Sequence, residues 1–256
     1  FIMKERIPNI YEHWIAKDIF AYIRLALGDR DRASFLRVIN KPKRYVHRNA
    51  FTEPYVDIEE LKAFYEDKFW MVERIEQFQS DLKFISSLKP YAAVNFIRKG
   101  AGYDDYIKEY ADYRGIRKDD LEVLLDELQE EAKAQKSFKE WFEYIELYGE
   151  ELKEQAGKSR DLLNGKEQEG DYVIVLTMHG AKGLEYDCVF IPDANDGVMP
   201  HSKAVLDDDI EEERRMFYVA MTRARKYLYI CYVKERFNKD AEISGFVREI
   251  LSGRKV

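Results

Sequence analysis

Two stretches in the last third of the chain hold side chains that can bind phosphate, sugar and charge. The first is Thr177-Met-His-Gly-Ala-Lys-Gly-Leu-Glu185-Tyr, which places a hydroxyl, an imidazole, an ammonium and a carboxylate within nine positions. Gly180 and Gly183 free its backbone to turn tightly or approach a ligand closely, a combination that suits a phosphate- and sugar-bearing molecule. The phosphate-loop spacing GxxxxGK[ST] occurs nowhere in the chain. Taken alone, the loop is equally well read as a plain strand-to-helix turn. The second stretch is Glu211-Glu-Glu-Arg-Arg-Met-Phe-Tyr218-Val-Ala-Met-Thr-Arg223-Ala. Its arginines, Arg214, Arg215 and Arg223, with Arg225 just beyond, can extend a planar and permanently charged fork toward a neighbouring site. Pairing with glutamates at helical spacing is the alternative, and for Arg225 and Lys226 that solvated pairing is the preferred reading.

The elements that must position these groups can be read from pattern. Tyr172-Val-Ile-Val-Leu-Thr-Met178 is short, apolar and β-branched, which predicts a buried strand opening into the polar loop. Asp209-Ile-Glu-Glu212 resembles a capped helix start, and a helix is expected from about Ile210 to Ala224. Val189–Pro192 and Tyr227–Tyr232 read as further strands. The fold class predicted for this end is α/β, with the chemistry at the carboxyl edge of a parallel sheet.

Between about Asn49 and Gly165 the pattern changes to helix. Capping boxes are expected at Asp57-Ile-Glu-Glu60 and Ser137-Phe-Lys-Glu140, and further helices over 90–99, 103–113 and 118–133. Trp70, Phe78, Phe84, Phe96, Trp141 and Phe142 read as core rather than as stacking platforms. The charged, glycine-containing stretch 157–170 reads as a hinge.

Composition bounds the function. The 256 residues suffice for one large or two ordinary domains, and a net charge of −7 excludes a generally basic nucleic-acid-binding protein. Any nucleic-acid contact must use local clusters, for which Lys41, Lys43, Arg44, His47 and Arg48 are one candidate and a solvated connector is the alternative. Cys188 and Cys231 both fall in apolar strands and are expected to be buried free thiols. No segment has the apolar length of a membrane span.

Together the two stretches resemble motifs V and VI of the UvrD/PcrA/Rep-like superfamily 1A DNA helicases. The patterns T-x-H-x-A-K-G-L-E-[FY] and E-E-x-R-R-x-x-Y-V-A-x-T-R-A occur in that family's order and at about its usual separation. Asp196-Gly-Val-Met-Pro200 looks like its G-x-[FM]-P loop. Ile15-Ala-Lys17-Asp18-Ile-Phe-Ala-Tyr-Ile-Arg24-Leu is similar to its E-I-K-D-x-x-A-Y-L-R-L helix, with Ile15 in place of the glutamate, and Phe35–Pro42 to its F-x-R-I-[IV]-N-x-P segment. After Pro42 the family's R-G-I-G turn, implicated in duplex contact, is replaced by Lys43-Arg-Tyr-Val-His47-Arg48.

The resemblance implies a RecA-like, P-loop-NTPase-type domain (2A) in two parts, residues 1–48 and 166–256, interrupted by an all-helical 2B insertion over 49–165. It implies the second motor half of an ATP-dependent 3′–5′ translocase. The phosphate loop and the Mg²⁺ ligands would belong to a partner RecA-like domain, so that the fragment alone is expected to be inactive. Residue by residue, Arg223 matches the arginine that reaches the γ-phosphate, Glu185 the acid that binds the ribose, and Gly183 a close backbone approach to the triphosphate. Thr177 and His179 match single-strand contacts. Lys182 can pair with either ligand or with a carboxylate, and Glu212, Arg214, Arg215 and Tyr218 are expected to organise the site. The implied partners are ATP with Mg²⁺, single-stranded DNA and its junctions with duplex, and repair or replication proteins, in the cytoplasm at the nucleoid. The equivalent region of an AddA- or RecB-like recombination helicase-nuclease, or a non-catalytic DNA-binding or interaction module, are the alternatives.

Overall fold

The structure is a computed structural model that describes residues 2–3, 8–163, 172–237 and 239–253. The chain forms two compact units, Pro8–Leu152 and residues 1–7 with 153–256.

The first unit is helical. Its α-helices are α1 (Trp14–Ala26), α2 (Arg32–Val38), α3 (Ile58–Phe64), α4 (Phe69–Ser86), α5 (Pro90–Asn95), α6 (Tyr103–Arg114), α7 (Lys118–Glu131) and the first part of α8 (Phe138–Leu163), and a five-residue π-turn follows α5. The predicted helix starts at 103 and 118 hold. The Ser137 hydroxyl accepts from the backbone N–H of Glu140 as a cap, whereas Asp57 accepts from Glu59 rather than from Glu60. The core is built on α1, whose Ile15, Ile19, Tyr22 and Ile23 are fully buried. Each such side chain contributes roughly 1.5–3 kcal/mol of transfer free energy. Helix α1 packs on α2, α4 and α7. Residues 8–48 belong to this helical unit, where α1 turns Lys17 and Arg24 outward and buries most of its other residues.

Buried charge ties this core together. The Asp18 carboxylate, wholly buried, accepts from Arg37 Nη1 at 3.2 Å, Lys41 Nζ at 2.6 Å and the Tyr103 hydroxyl at 2.8 Å. Arg44 is also buried and donates to the Tyr22 hydroxyl and to the carbonyls of Ile39 and Pro42. Lys41 and Arg44, read either as part of a nucleic-acid cluster or as a solvated connector, are instead held by partners within the helical unit: Lys41, partly buried, on Asp18, and Arg44, buried, on Tyr22, Ile39 and Pro42. Two aromatic expectations also change. Phe78 and Trp141 are buried, and Phe96 and Phe142 are partly so, but Trp70 is 48% and Phe84 49% exposed. Trp70 lies in the first turn of α4, where Arg74 covers its ring at 5.1 Å. Phe84 packs edge-on against Phe96 at the helix surface. Gly157, read as the start of a hinge, lies within α8; residues 164–170 of that hinge lie outside the described residues.

The second unit carries the strands. Parallel pairs are β1 (Ile2–Met3) with β2 (Ile174–Val175), and β3 (Tyr186–Ile191) with β4 (Ala224–Ile230). Helix α9 (Asp207–Met221) connects β3 to β4 and packs on both, a β-α-β unit; β5 (Glu235–Arg236) and β6 (Lys239–Asp240) form a short antiparallel pair, and α10 (Gly245–Leu251) follows. Ile191, Ala194, Met199, Phe217, Ala220, Phe246 and Val247 form its core. The predicted strand 172–178 shortens to two residues because Thr177 onward is taken up by turns. Helix α9 starts and ends three residues earlier than predicted. Asp209 lies in its first turn beside Asp207 and Asp208, where carboxylates favour the helix dipole, and Leu206 occupies the cap position.

Cys188 and Cys231 are exposed, not buried. Alternation along β3 turns Val189 and Ile191 toward the core and Cys188 and Phe190 away from it, and Phe190 stacks on Tyr229 of β4 at 4.6 Å. The apolar runs imply a sheet covered on both faces. Among the described residues only one face is covered.

Candidate functional site

The candidate site is the loop after β2 together with the junction between α9 and β4, all within the second unit. The loop coils through successive turns. Ala181 N–H donates to the Thr177 carbonyl at 3.0 Å, Lys182 N–H to that of His179 at 3.2 Å and Leu184 N–H to that of Ala181 at 3.1 Å. The Thr177 hydroxyl oxygen accepts from Gly180 N–H at 3.0 Å and so caps the first turn. Ala181 is buried and anchors the loop, which leaves His179, Lys182 and Glu185 exposed. Gly183 has φ +81°, with nothing within 4 Å of where a Cβ would stand. Glycine is required there by the left-handed backbone, not by crowding.

Arg223 is the one residue between the α9 cap, Thr222, and the first residue of β4. Its Nε donates to the Val219 carbonyl at 2.9 Å, one of the α9 carbonyls with no partner in the helix ladder. Its Nη2 donates to the Thr222 hydroxyl at 2.9 Å, and its Nη1 crosses to the Leu184 carbonyl at 3.1 Å. The backbone answers in the other direction, with Tyr186 N–H donating to the Arg223 carbonyl at 2.9 Å. These two bonds fall on either side of Glu185, so the backbone at the end of the loop is tied to the junction that carries Arg223.

The charges differ in their partners. Arg214 is bonded to Glu211 and in a bidentate pair to Glu249, and lies over the Phe246 ring at 4.7 Å. Glu249 holds its guanidinium further above the ordinary arginine value. Arg215 pairs with Glu212 at 2.9 Å along α9. Arg225 and Lys226 both pair with Asp187, at 2.7 and 2.6 Å, and the Lys226 hydrogen bond holds that carboxyl below the usual range. Arg223 alone of these four arginines has no carboxylate partner among the described residues. Three of its five N–H groups are used on neutral oxygens, which leaves two donors and an uncompensated positive charge.

The sequence-predicted residues therefore fall into two groups. Gly183 and Glu185 flank Leu184, whose carbonyl accepts from Arg223, with Thr177, His179 and Lys182 on the same loop. Glu212, Arg214 and Arg215 direct their bonds along α9 and to α10 instead of to the loop, and Tyr218 is exposed on α9. Sequence reasoning missed Asn195. This buried amide donates to the carbonyls of Val233 and Glu242 and accepts from Val233 N–H, while the Ser244 hydroxyl donates to the Met199 carbonyl. Together they lock the loop over 195–200 onto the unit; the Asn-Asp-Gly run is the signal that could have found it. Among the described residues no cluster of His, Cys, Asp and Glu could hold a metal ion.

A family model described as the UvrD-like helicase C-terminal domain matches residues 9–235. The chain is 28% identical over 246 residues to the ATP-dependent DNA helicase PcrA of Bacillus subtilis (strain 168), a match covering 89% of this chain and 32% of the relative. It is 26% identical over 271 residues to the ATP-dependent DNA helicase Rep of Escherichia coli (strain K12), covering 92% and 38%. With DNA helicase II of Rickettsia typhi (strain ATCC VR-144 / Wilmington) the identity is 29% over 253 residues, covering 89% and 35%. The chain spans about a third of the length of these relatives. With the family model spanning most of both compact units and the whole of the candidate site, the chain belongs to the UvrD-like helicase C-terminal domain family.

Proposed function

We propose that this chain is the second motor half of an ATP-dependent DNA helicase, translocating 3′ to 5′ on single strands in repair or replication restart. The observation that carries the reading is Arg223, held by neutral oxygens with two donors to spare and no carboxylate, beside Glu185. Phosphoryl transfer spreads negative charge over the equatorial oxygens, and an uncompensated arginine there stabilises the transition state. Glu185 accepts from the ribose hydroxyls, and Gly183 lets the backbone approach the triphosphate. Mg²⁺ would neutralise charge on the phosphates, with its ligands, like the phosphate loop, outside these 256 residues. Alone, the chain should not turn over ATP.

Thr177, His179 and Lys182 contact the sugar–phosphate backbone of the strand, which positions it without reading sequence. The 177–185 loop then touches DNA at one end and nucleotide at the other, and couples hydrolysis to movement. Arg214, pinned to α10, and the Glu212–Arg215 pair stiffen α9, with Tyr218 on its exposed side, and so fix the direction from which Arg223 enters. In this reading residues 1–48 and 166–256 belong to a RecA-like 2A domain and the helices from about 49 to 165 to a 2B insertion. The protein acts in the cytoplasm at the nucleoid; no helix among the described residues is long and apolar enough to cross a membrane. ATP hydrolysis by the full-length protein, with and without single-stranded DNA, tests the proposal. Stimulated turnover supports it, and DNA binding without turnover replaces it with a non-catalytic module.

A further inference from the structure

The segments of α1 and α2 that carry the family resemblance, and that the motor site leaves without a role, line a groove of about 1150 Å³ in the helical unit. Lys17, Phe20, Ala21 and Arg24 lie at positions i, i+3, i+4 and i+7 of α1 and form one wall. Phe142, Ile145 and Glu146 of α8 form another, and Arg37, Lys41 and Arg48 enter from α2 and the connection after it. Five cations thus face two carboxylates, Asp31 and Glu146, in a chain whose net charge is −7.

Arg37 and Lys41 are already held by Asp18. Lys17, Arg24 and Arg48 are exposed and have no carboxylate within ion-pair distance among the described residues. Arg24 instead lies over the Phe142 ring at 5.7 Å, which orients its fork and leaves N–H groups available. Three cations outside ion-pair distance of any described carboxylate, of which Arg24 also acts on the Asp31 charge, along an open groove with apolar walls are the complement of a polyanion that also carries apolar surface. The groove exceeds the roughly 300–1,000 Å³ of pockets that enclose small molecules, which favours a strand lying along it.

We propose that this groove binds the sugar–phosphate backbone of a single-stranded nucleic acid, with phosphates on Lys17, Arg24 and Arg48 and a sugar or base edge against Phe142. This is a second contact, separate in sequence from the 177–185 loop, and it rests on the helicase reading for the identity of the polyanion.

The test is fluorescence anisotropy of labelled oligothymidylate on the full-length protein across a salt series, comparing wild type with the Lys17→Gln/Arg24→Gln/Arg48→Gln triple variant. The three side chains are exposed, so the fold should persist, as a circular dichroism melt would verify. The expected result is affinity at least about tenfold weaker and a slope of log K against log salt shallower by about 2, since each single-strand phosphate contact contributes about 0.7. The Lys17→Arg/Arg24→Lys/Arg48→Lys variant, which retains the charges, should keep the wild-type slope. Unchanged affinity and slope in a triple variant whose wild type shows DNA-stimulated ATPase would overturn the groove and leave the motor reading intact. Wild type that neither binds DNA nor hydrolyses ATP would remove both. A loss confined to polyglutamate, with oligothymidylate unaffected, would overturn the nucleic-acid assignment in favour of an acidic protein segment.

Discussion

Arg223 and Leu184 are joined by a hydrogen bond from the guanidinium Nη1 to the carbonyl oxygen at 3.1 Å, while the N–H of Tyr186 donates back to the Arg223 carbonyl. The bonds fall on either side of Glu185, so a change in where the arginine points is transmitted to the loop. Removing the side chain should therefore do more than delete a charge. Arg223→Ala in the full-length protein is expected to lower DNA-stimulated ATP turnover by about 10³-fold or more, with single-strand affinity largely retained. Arg223→Lys should recover little of it, because one ammonium cannot serve both the carbonyls and a phosphate. Normal turnover in the alanine variant would remove Arg223 from the chemistry.

Gly183 separates two explanations of a glycine. A Cβ at this position would meet nothing within 4 Å, yet φ is +81°. Gly183→Ala is expected to cost about 1 kcal/mol through backbone strain alone and to raise KM for ATP as the loop shifts. Thermal melting and steady-state kinetics check both, and an unchanged melt with unchanged KM would show that the left-handed turn is dispensable.

Much of this site was legible because its residues lie close in sequence and their types are restrictive. Thr177, His179, Lys182, Gly183 and Glu185 share one loop, and Arg223 sits at a helix end that the apolar stripe of α9 marks. What periodicity could not show was long-range pairing. Asp18 meets Tyr103 across 85 positions, and Asn195 meets Glu242 across 47. The same blindness explains Lys41 and Arg44, whose partners lie inside the helical unit, and Cys188, whose strand is covered on one face only among the described residues. Helix boundaries moved where acidic residues served the first turn of α9 rather than its cap.

The two exposed contacts of the loop should separate by variant. Thr177 accepts from Gly180 N–H, so Thr177→Val removes a cap worth about 0.5–1 kcal/mol as well as any strand contact, and Thr177→Ser should restore the cap. His179 is exposed, and His179→Ala should leave the melt unchanged while weakening DNA stimulation of ATPase. Undiminished stimulation in His179→Ala would end its coupling role.

Ion pairs in the two units should differ sharply in worth. Asp18→Asn leaves the partly exposed Arg37 and Lys41 without their carboxylate and replaces a buried acceptor, and should destabilise the helical unit by about 1–3 kcal/mol. Asp187→Asn, which frees only surface partners Arg225 and Lys226, should leave denaturant unfolding unchanged. Equal effects from the two would mean that burial does not set the strength of the Asp18 cluster.

Alkaline pH should expose the same cluster from another direction. Burial, reinforced by the Asp18 charge and by the hydrogen bond to its carboxylate, raises the Tyr103 phenol well above the ordinary tyrosine value, and burial also raises Tyr22. The unfolded chain loses these protons near pH 10 while the folded chain keeps them, so the folded state binds more protons above that point. Their contribution to stability is full below about pH 10 and falls as pH rises from there toward the folded values, by about 1.4 kcal/mol per pH unit for each phenol. Urea unfolding between about pH 9 and pH 11 should show this decline. Tyr103→Phe, though less stable at neutral pH for want of its bond to Asp18, should show a slope shallower by one proton. Parallel pH profiles for the variant and the wild type would mean that Tyr103 ionises as readily in the folded protein as in the unfolded chain, which its burial beside a carboxylate forbids.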